Sequence, residues 1–173
     1  MRRDKALLEL DGKPMWQRQR AVLAEAGAGE IFLSARSNQT WADTAEGFAG
    51  VVRDVSPDTG PLGGITAGLK GSTHGHVAVL AVDLPKMEPR WFQSLLAECG
   101  PGRGVVGRIG NFFEPLAAIY PRELLPFAEE ALERRELSLQ KLLARGVSEN
   151  LLAVREISAE DASLFSNWNE PVG

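Results

Sequence analysis

The sequence predicts an α/β fold, a three-layer, doubly wound, mostly parallel mixed sheet organised as a single domain over residues 1–173. Three observations carry that prediction. The runs "IFLSA", "GVVRD" and "HVAVLAVD" are continuous in apolar character rather than alternating, as in strands covered on both faces. Helical patterns separate them, which calls for crossover connections and therefore parallel neighbours. Glycine, proline or aspartate punctuates the junctions, and no repeat, low-complexity tract or long linker divides the chain.

The elements follow in order. "LLEL" reads as a short extended piece and "DGKP" as a turn, with Pro14 suited to the first position of a helix because its missing N–H would be unpaired there. On that helix Met15, Trp16, Val22, Leu23 and Ala26 form an apolar stripe suited to packing on a sheet. "GAG" ends it. After the strands "IFLSA" and "GVVRD", Leu62, Ile65 and Leu69 share one helical face. Past "HVAVLAVD", Trp91, Phe92 and Leu95 share another. "GVVGRIGNFFEPLAAIYP" holds two strand-like runs around Gly110-Asn111, which predicts an antiparallel pair added to the parallel sheet. A helix with Leu124, Leu125, Ala128, Ala131 and Leu132 on one side comes next. "SLQKLLARG" forms a further helix, and "LLAVREI" a last strand.

Composition excludes several classes. With 44% apolar and 24% charged residues the chain is an ordinary globular sequence of a size that buries a core without metal or disulfide support. A net charge of −4 and basic residues scattered apart from short clusters leave no footprint for nucleic acid. The longest wholly apolar run, Val77 to Val82, is far short of a membrane span, and Ala6-Leu7-Leu8 is too short for a signal-peptide core, so a cytoplasmic protein with no membrane partner is expected. Cys99 stands alone, which fits an inert structural thiol.

In open parallel sheets ligands sit beyond the carboxyl ends of the strands. Three strands here end in polar groups: Ser34 and Arg36 after "IFL", Asp54 after "GVVR", and Asp83 after "VAVLAV". Asp83 admits two readings, a carboxylate at the rim placed for a phosphate-bound Mg²⁺, or a cap for the helix after Pro85. Asp54 lies in "DVSPDTG", where an aspartate also serves simply to bond its own turn. In "GPLGG" the glycines Gly60, Gly63 and Gly64 allow close approach of a ligand, and Pro61 begins a helix whose N-terminus suits an anion. His74 and His76 precede a strand and so lie on the opposite edge, as a surface loop rather than a metal pair. Trp16, Trp41 and Trp91 read as core or rim packing, and no Ser-His-Asp constellation is present.

Taken together, "RDKALLELDGKPMWQRQ", "GPLGGITAGL", "LAVDLP", "EPLAAIYP", "SLQKLL" and "FSNWNEP" resemble, in this order and over essentially the whole chain, the molybdenum cofactor guanylyltransferase family. That family lies within the nucleotide-diphospho-sugar-transferase-like fold. The resemblance implies transfer of GMP from GTP to molybdenum-bearing molybdopterin, with release of pyrophosphate and Mg²⁺ as cofactor. It implies a phosphate-contacting and catalytic role for Lys5, a nucleoside-binding role for Asp54, Mg²⁺ ligation by Asp83, and nucleotide contacts from Gly60, Pro61 and Leu62. Asn167 and Asn169 match the family asparagines near the second substrate. Transient contacts with cofactor-biosynthesis or acceptor proteins are implied as well.

Two departures stand out. The family often has an asparagine where this chain offers Ser34 and Arg36 for the nucleotide. The family's Asp-Lys pair also closes a motif of the form L-A-G-G-x-S-x-R-M-G-x-D-K, of which only "MRRDK" is present. The sequence is therefore expected to begin at an internal methionine, about 15 to 20 residues inside the family frame, without a first strand and its Gly-rich loop. Alternatives to the GTP reading are a related enzyme using CTP or another NTP on molybdopterin or a sugar phosphate, and a nucleotide-binding protein with impaired catalysis.

Overall fold

The computed structural model describes residues 4–53 and 58–167. A single 3-10 turn, Lys5–Leu7, leads into a two-residue-per-strand hairpin of β1 (Glu9–Leu10) and β2 (Lys13–Pro14). Its turn residues Asp11 and Gly12 have φ of 54° and 73°, the left-handed pair that an Asp-Gly hairpin requires. Helix α1 (Met15–Glu25) starts directly after Pro14, which occupies the cap rather than the first helical position. The parallel pair β3 (Phe32–Ala35) and β4 (Gly50–Arg53) follows, then α2 (Gly60–Gly71). The remainder comprises β5 (His76–Leu80), α3 (Pro89–Glu98), β6 (Gly104–Ile109), β7 (Phe112–Pro121), α4 (Leu125–Glu133), α5 (Leu139–Ser148) and β8 (Leu152–Glu156).

The strands form a mixed sheet in the order β5-β7-β6-β8, in which β7 runs antiparallel to both neighbours and β8 parallel to β6. The expected antiparallel pair is thus the centre of this sheet rather than an addition to it. β7 alternates its side chains between two cores. Ala118 and Tyr120 join Leu62, Ile65, Leu69, Ala128, Leu142 and Leu143 from α2, α4 and α5 on one face. Ala117 and Ile119 join Trp91, Phe92 and Leu95 from α3, with Val22 and Leu23 of α1, on the other. Helices on both faces of one sheet give three layers.

Among the described residues β3 and β5 share no hydrogen-bonded ladder, so the β3–β4 pair and the four-stranded sheet are separate ladders. Helix α2 spans the division, packing on β3, β4 and β5. The consequence is visible in burial. β4 and β5 read as fully buried strands, yet each of their residues is only half-buried, and Phe32 of β3 is 43% exposed. Glu30 and His74, the approaches to β3 and β5, lie 3.1 Å apart, so the two strands start at the same end of the molecule.

Candidate active site

The edge that matters is the carboxyl end of β3, β4 and β5. β5 stops at Leu80, two residues earlier than the apolar run, because the chain turns there instead of continuing the ladder. Only the Ala81 amide still reaches β7, at the Leu116 carbonyl. Asp83 therefore sits in a turn beyond the strand. Helix α3 begins at Pro89 with Glu88 before it, so Asp83 caps no helix. Of the two readings the sequence left open for Asp83, the capping one is removed.

Lys5 meets this turn. Its Nζ lies 3.1 Å from Asp83 Oδ2, joining residues 78 apart in sequence. Asp4, immediately before it, reaches the other way. One carboxylate oxygen of Asp4 accepts from the Gln39 side-chain amide at 2.7 Å and the Trp41 indole at 2.8 Å, and the other accepts from the Ala6 amide at 3.1 Å. Burial alone would raise the Asp4 pKa; the hydrogen bonds from Gln39, Trp41 and Ala6, with the charge of Arg36, outweigh it and hold the carboxyl below its ordinary value. Residues 4 and 5 thus tie the loop after β3 to the turn after β5.

Ser34 and Arg36 are exposed on that same edge of β3, and the loop that follows is ordered by its own side chains. The Arg36 amide donates to Gln39 Oε1 at 2.8 Å, while the Arg53 guanidinium at the end of β4 donates to the carbonyls of Arg36 and Gln39 and pairs with Asp43. The start of α2 supplies Gly60 and Pro61, both exposed. Leu62 differs from them, since its side chain is fully buried in the core and only its main chain is available to a ligand. Asp54 and Asn169 lie outside the described residues. Asn167 is exposed and follows a 3-10 turn, Ala162–Phe165. That turn is rooted by Leu164 and Phe165 in the core that also holds Leu84 and Met87, and Phe165 meets Trp91 edge-on at 4.9 Å.

Four residues of this edge escaped the sequence reading. Asp4 was seen only as the partner of a lysine. Gln39 carries no motif, and Trp41 was read as packing, although its indole N–H is committed to Asp4. Gln19 is the fourth: it is 5% exposed and donates to the carbonyls of Ala81 and Leu84 on either side of Asp83. Its signal was present, since a glutamine four residues after Met15 interrupts the apolar stripe of α1. His74 lies before β5 as read and pairs with Glu30, whereas His76 is the first, half-buried residue of β5 rather than part of a surface loop and bonds the carbonyls of Gly100 and Arg103.

Among the described residues no three carboxylate, histidine or cysteine groups converge on a metal position. A lone hard oxygen donor such as Asp83 does not make an all-protein cage, but it fits Mg²⁺, which keeps several waters and is commonly held by one or two carboxylates together with substrate phosphates. The arrangement suits an anionic, phosphate-bearing ligand: a cation at Lys5, a carboxylate for a metal at Asp83, and a helix start at Gly60 and Pro61.

A family model described as the MobA-like NTP transferase domain matches residues 1–151. The chain belongs to the MobA-like NTP transferase family. It is thereby a nucleotidyltransferase by descent. A probable molybdenum cofactor guanylyltransferase from Opitutus terrae is 40% identical over 174 residues, covering 99% of this chain and 85% of that one. A molybdenum cofactor guanylyltransferase from Pseudomonas putida is 35% identical, covering 98% and 85%. Among solved structures, molybdopterin-guanine dinucleotide biosynthesis protein A from Archaeoglobus fulgidus superposes with a TM-score of 0.73 at 20% identity, covering 96% of this chain and 85% of that one, a likeness of fold. No helix among the described residues is long and apolar enough to cross a membrane.

Proposed function

We propose that this member of the family transfers GMP from GTP to the phosphate of molybdenum-bearing molybdopterin. The observation that carries the proposal is the meeting of Lys5 with Asp83 at the carboxyl end of the sheet, 3.1 Å apart. It supports the reading because one cation and one metal-competent carboxylate, held side by side, suit a triphosphate and a second anionic substrate. In the reaction a phosphate oxygen of molybdopterin forms a bond to the α-phosphorus of GTP. The bond from that phosphorus to the bridging oxygen of the β-phosphate breaks, and pyrophosphate leaves with the electron pair.

Attacker and target are both anions, so the barrier falls chiefly through alignment and charge neutralisation rather than through a general base. Mg²⁺ would supply positive charge to the phosphates when bound. Asp83 would hold that ion, and Lys5 offsets charge developing toward the leaving pyrophosphate. For these roles the Lys5–Asp83 ion pair exchanges partners, each group turning to the ligand of opposite charge. Gly60, Pro61 and the main chain of Leu62 face the nucleotide from the start of α2, and Ser34 and Arg36 from the end of β3; nucleoside binding falls to Asp54. Asn167 and Asn169 serve the molybdopterin side.

The test is a single-turnover assay of the full-length protein with molybdopterin and either GTP or CTP in Mg²⁺, reading pyrophosphate and the dinucleotide product. Product with GTP and none with CTP supports the proposal. Product with CTP alone moves the protein to the cytidylyl branch, and pyrophosphate release from neither nucleotide assigns it to binding without transfer.

A further inference from the structure

We infer that Gln19 is a positioning residue for the Asp83 turn, and through that turn for a divalent cation bound alongside nucleotide phosphates. The inference rests on the metal role proposed above for Asp83. Gln19 projects from α1 into the core, where it is 5% exposed. Its Nε2 lies 3.1 Å from the Ala81 carbonyl oxygen and 2.7 Å from that of Leu84, so both amide hydrogens are used on two acceptors that bracket Asp83.

Nothing in the secondary structure performs this task. β5 has ended at Leu80 and α3 does not begin until Pro89, so residues 81 to 84 have left one element without entering the next. The Ala81 amide retains a bond to β7, and the Leu84 carbonyl also accepts from the Met87 amide. The Asp83 side chain bonds only Lys5 among the described residues. Among the described residues, Gln19 is the one side chain that holds both ends of the turn at once.

Packing does not account for a glutamine at this position. Met15, Val22, Leu23 and Ala26 make the same face of α1 apolar, and a methionine at 19 would continue that stripe with more buried apolar area. A buried carboxamide is retained where a carbonyl would otherwise be orphaned, in this case that of Ala81, the Leu84 carbonyl having the Met87 amide as a second donor. Here the carbonyls belong to the turn that presents the carboxylate, and misplacing a ligand-bearing segment by a fraction of an ångström weakens metal binding while the fold persists.

The experiment uses the full-length protein and compares Gln19→Met, Gln19→Asn and Asp83→Asn with wild type. Methionine keeps the length and removes both donors; asparagine keeps an amide that is one methylene too short to span both carbonyls. Binding of Mn²⁺ in the presence of GTP is read from the electron paramagnetic resonance of the free ion, with GTP binding in chelator and thermal melting read in parallel. We expect both Gln19 variants to raise the Mn²⁺ dissociation constant about tenfold, equivalent to ~1.4 kcal/mol, while metal-free GTP binding is unchanged. If Asp83→Asn weakens Mn²⁺ binding and a folded Gln19 variant binds as wild type with only its melting point lowered, Gln19 is a packing residue and the inference is overturned. Should Asp83→Asn itself bind Mn²⁺ as wild type, the metal reading falls and takes this inference with it.

Discussion

Lys5 Nζ and Asp83 Oδ2 lie 3.1 Å apart, and the two side chains are 48% and 29% exposed. A pair this open contributes about 0–1 kcal/mol to stability. Under the proposed function its placement serves chemistry at the sheet edge rather than stability. The Lys5→Met variant should therefore melt close to wild type while losing about 10²- to 10³-fold in turnover, the range seen when one preorganised electrostatic contact to a transition state is removed. Thermal melts and single-turnover rates measured side by side check this; a large loss of stability with unchanged rate would reverse the assignment.

Asp4 supplies a pH signature. Its carboxyl is held below the ordinary value by the bonds it accepts from Gln39, Trp41 and Ala6. A depressed native pKa contributes stability that is fully present above the unfolded carboxylate value and is lost as pH falls through the native one. The stability gap between wild type and Asp4→Asn should be constant near neutral pH and should narrow as the solution is acidified below the ordinary aspartate range. Urea unfolding followed across that range measures the gap.

Cys99 should be a slow nucleophile. Burial, and then the charge of Glu98, push its thiol pKa up, so the thiolate fraction at neutral pH is smaller than for a free cysteine. Alkylation by iodoacetamide is expected to run slower than for a model thiol at the same pH and to reach the model rate on unfolding. Alkylation as fast in the native state as in denaturant would contradict this.

Gly104 marks where the central strands approach most closely. A Cβ added there would collide with the Ile119 carbonyl and come within 2.8 Å of Pro121 Cδ, backbone and ring atoms that do not move aside cheaply. Gly104→Ala should cost about 3 kcal/mol, the upper end of ordinary overpacking. Chemical denaturation gives the number, and Gly71→Ala, where nothing lies within 4 Å of the new Cβ, is the control expected to be neutral or mildly stabilising.

The amino-acid sequence by itself determined the element order and the three polar strand ends. Those features follow from local periodicity, which is written in consecutive residues. Leu62, Ile65 and Leu69 had to share a helical face, and Trp91, Phe92 and Leu95 another, whatever the topology, and all six are buried. Asp83 is legible from its place after an apolar run, and Lys5 from the resemblance of its motif to that of a known family. Tertiary structure alone decided that they touch across 78 residues, and that β7 rather than a parallel strand lies beside β5. It also decided that the β5 ladder ends before Asp83, since an apolar run records burial and not where a backbone turns. Gln19, Gln39 and Trp41 joined the site only in the fold, because a hydrogen bond between distant segments leaves no period in the sequence. Gln19 interrupts the apolar face of α1, and only the fold supplies the pair of carbonyls that explains it.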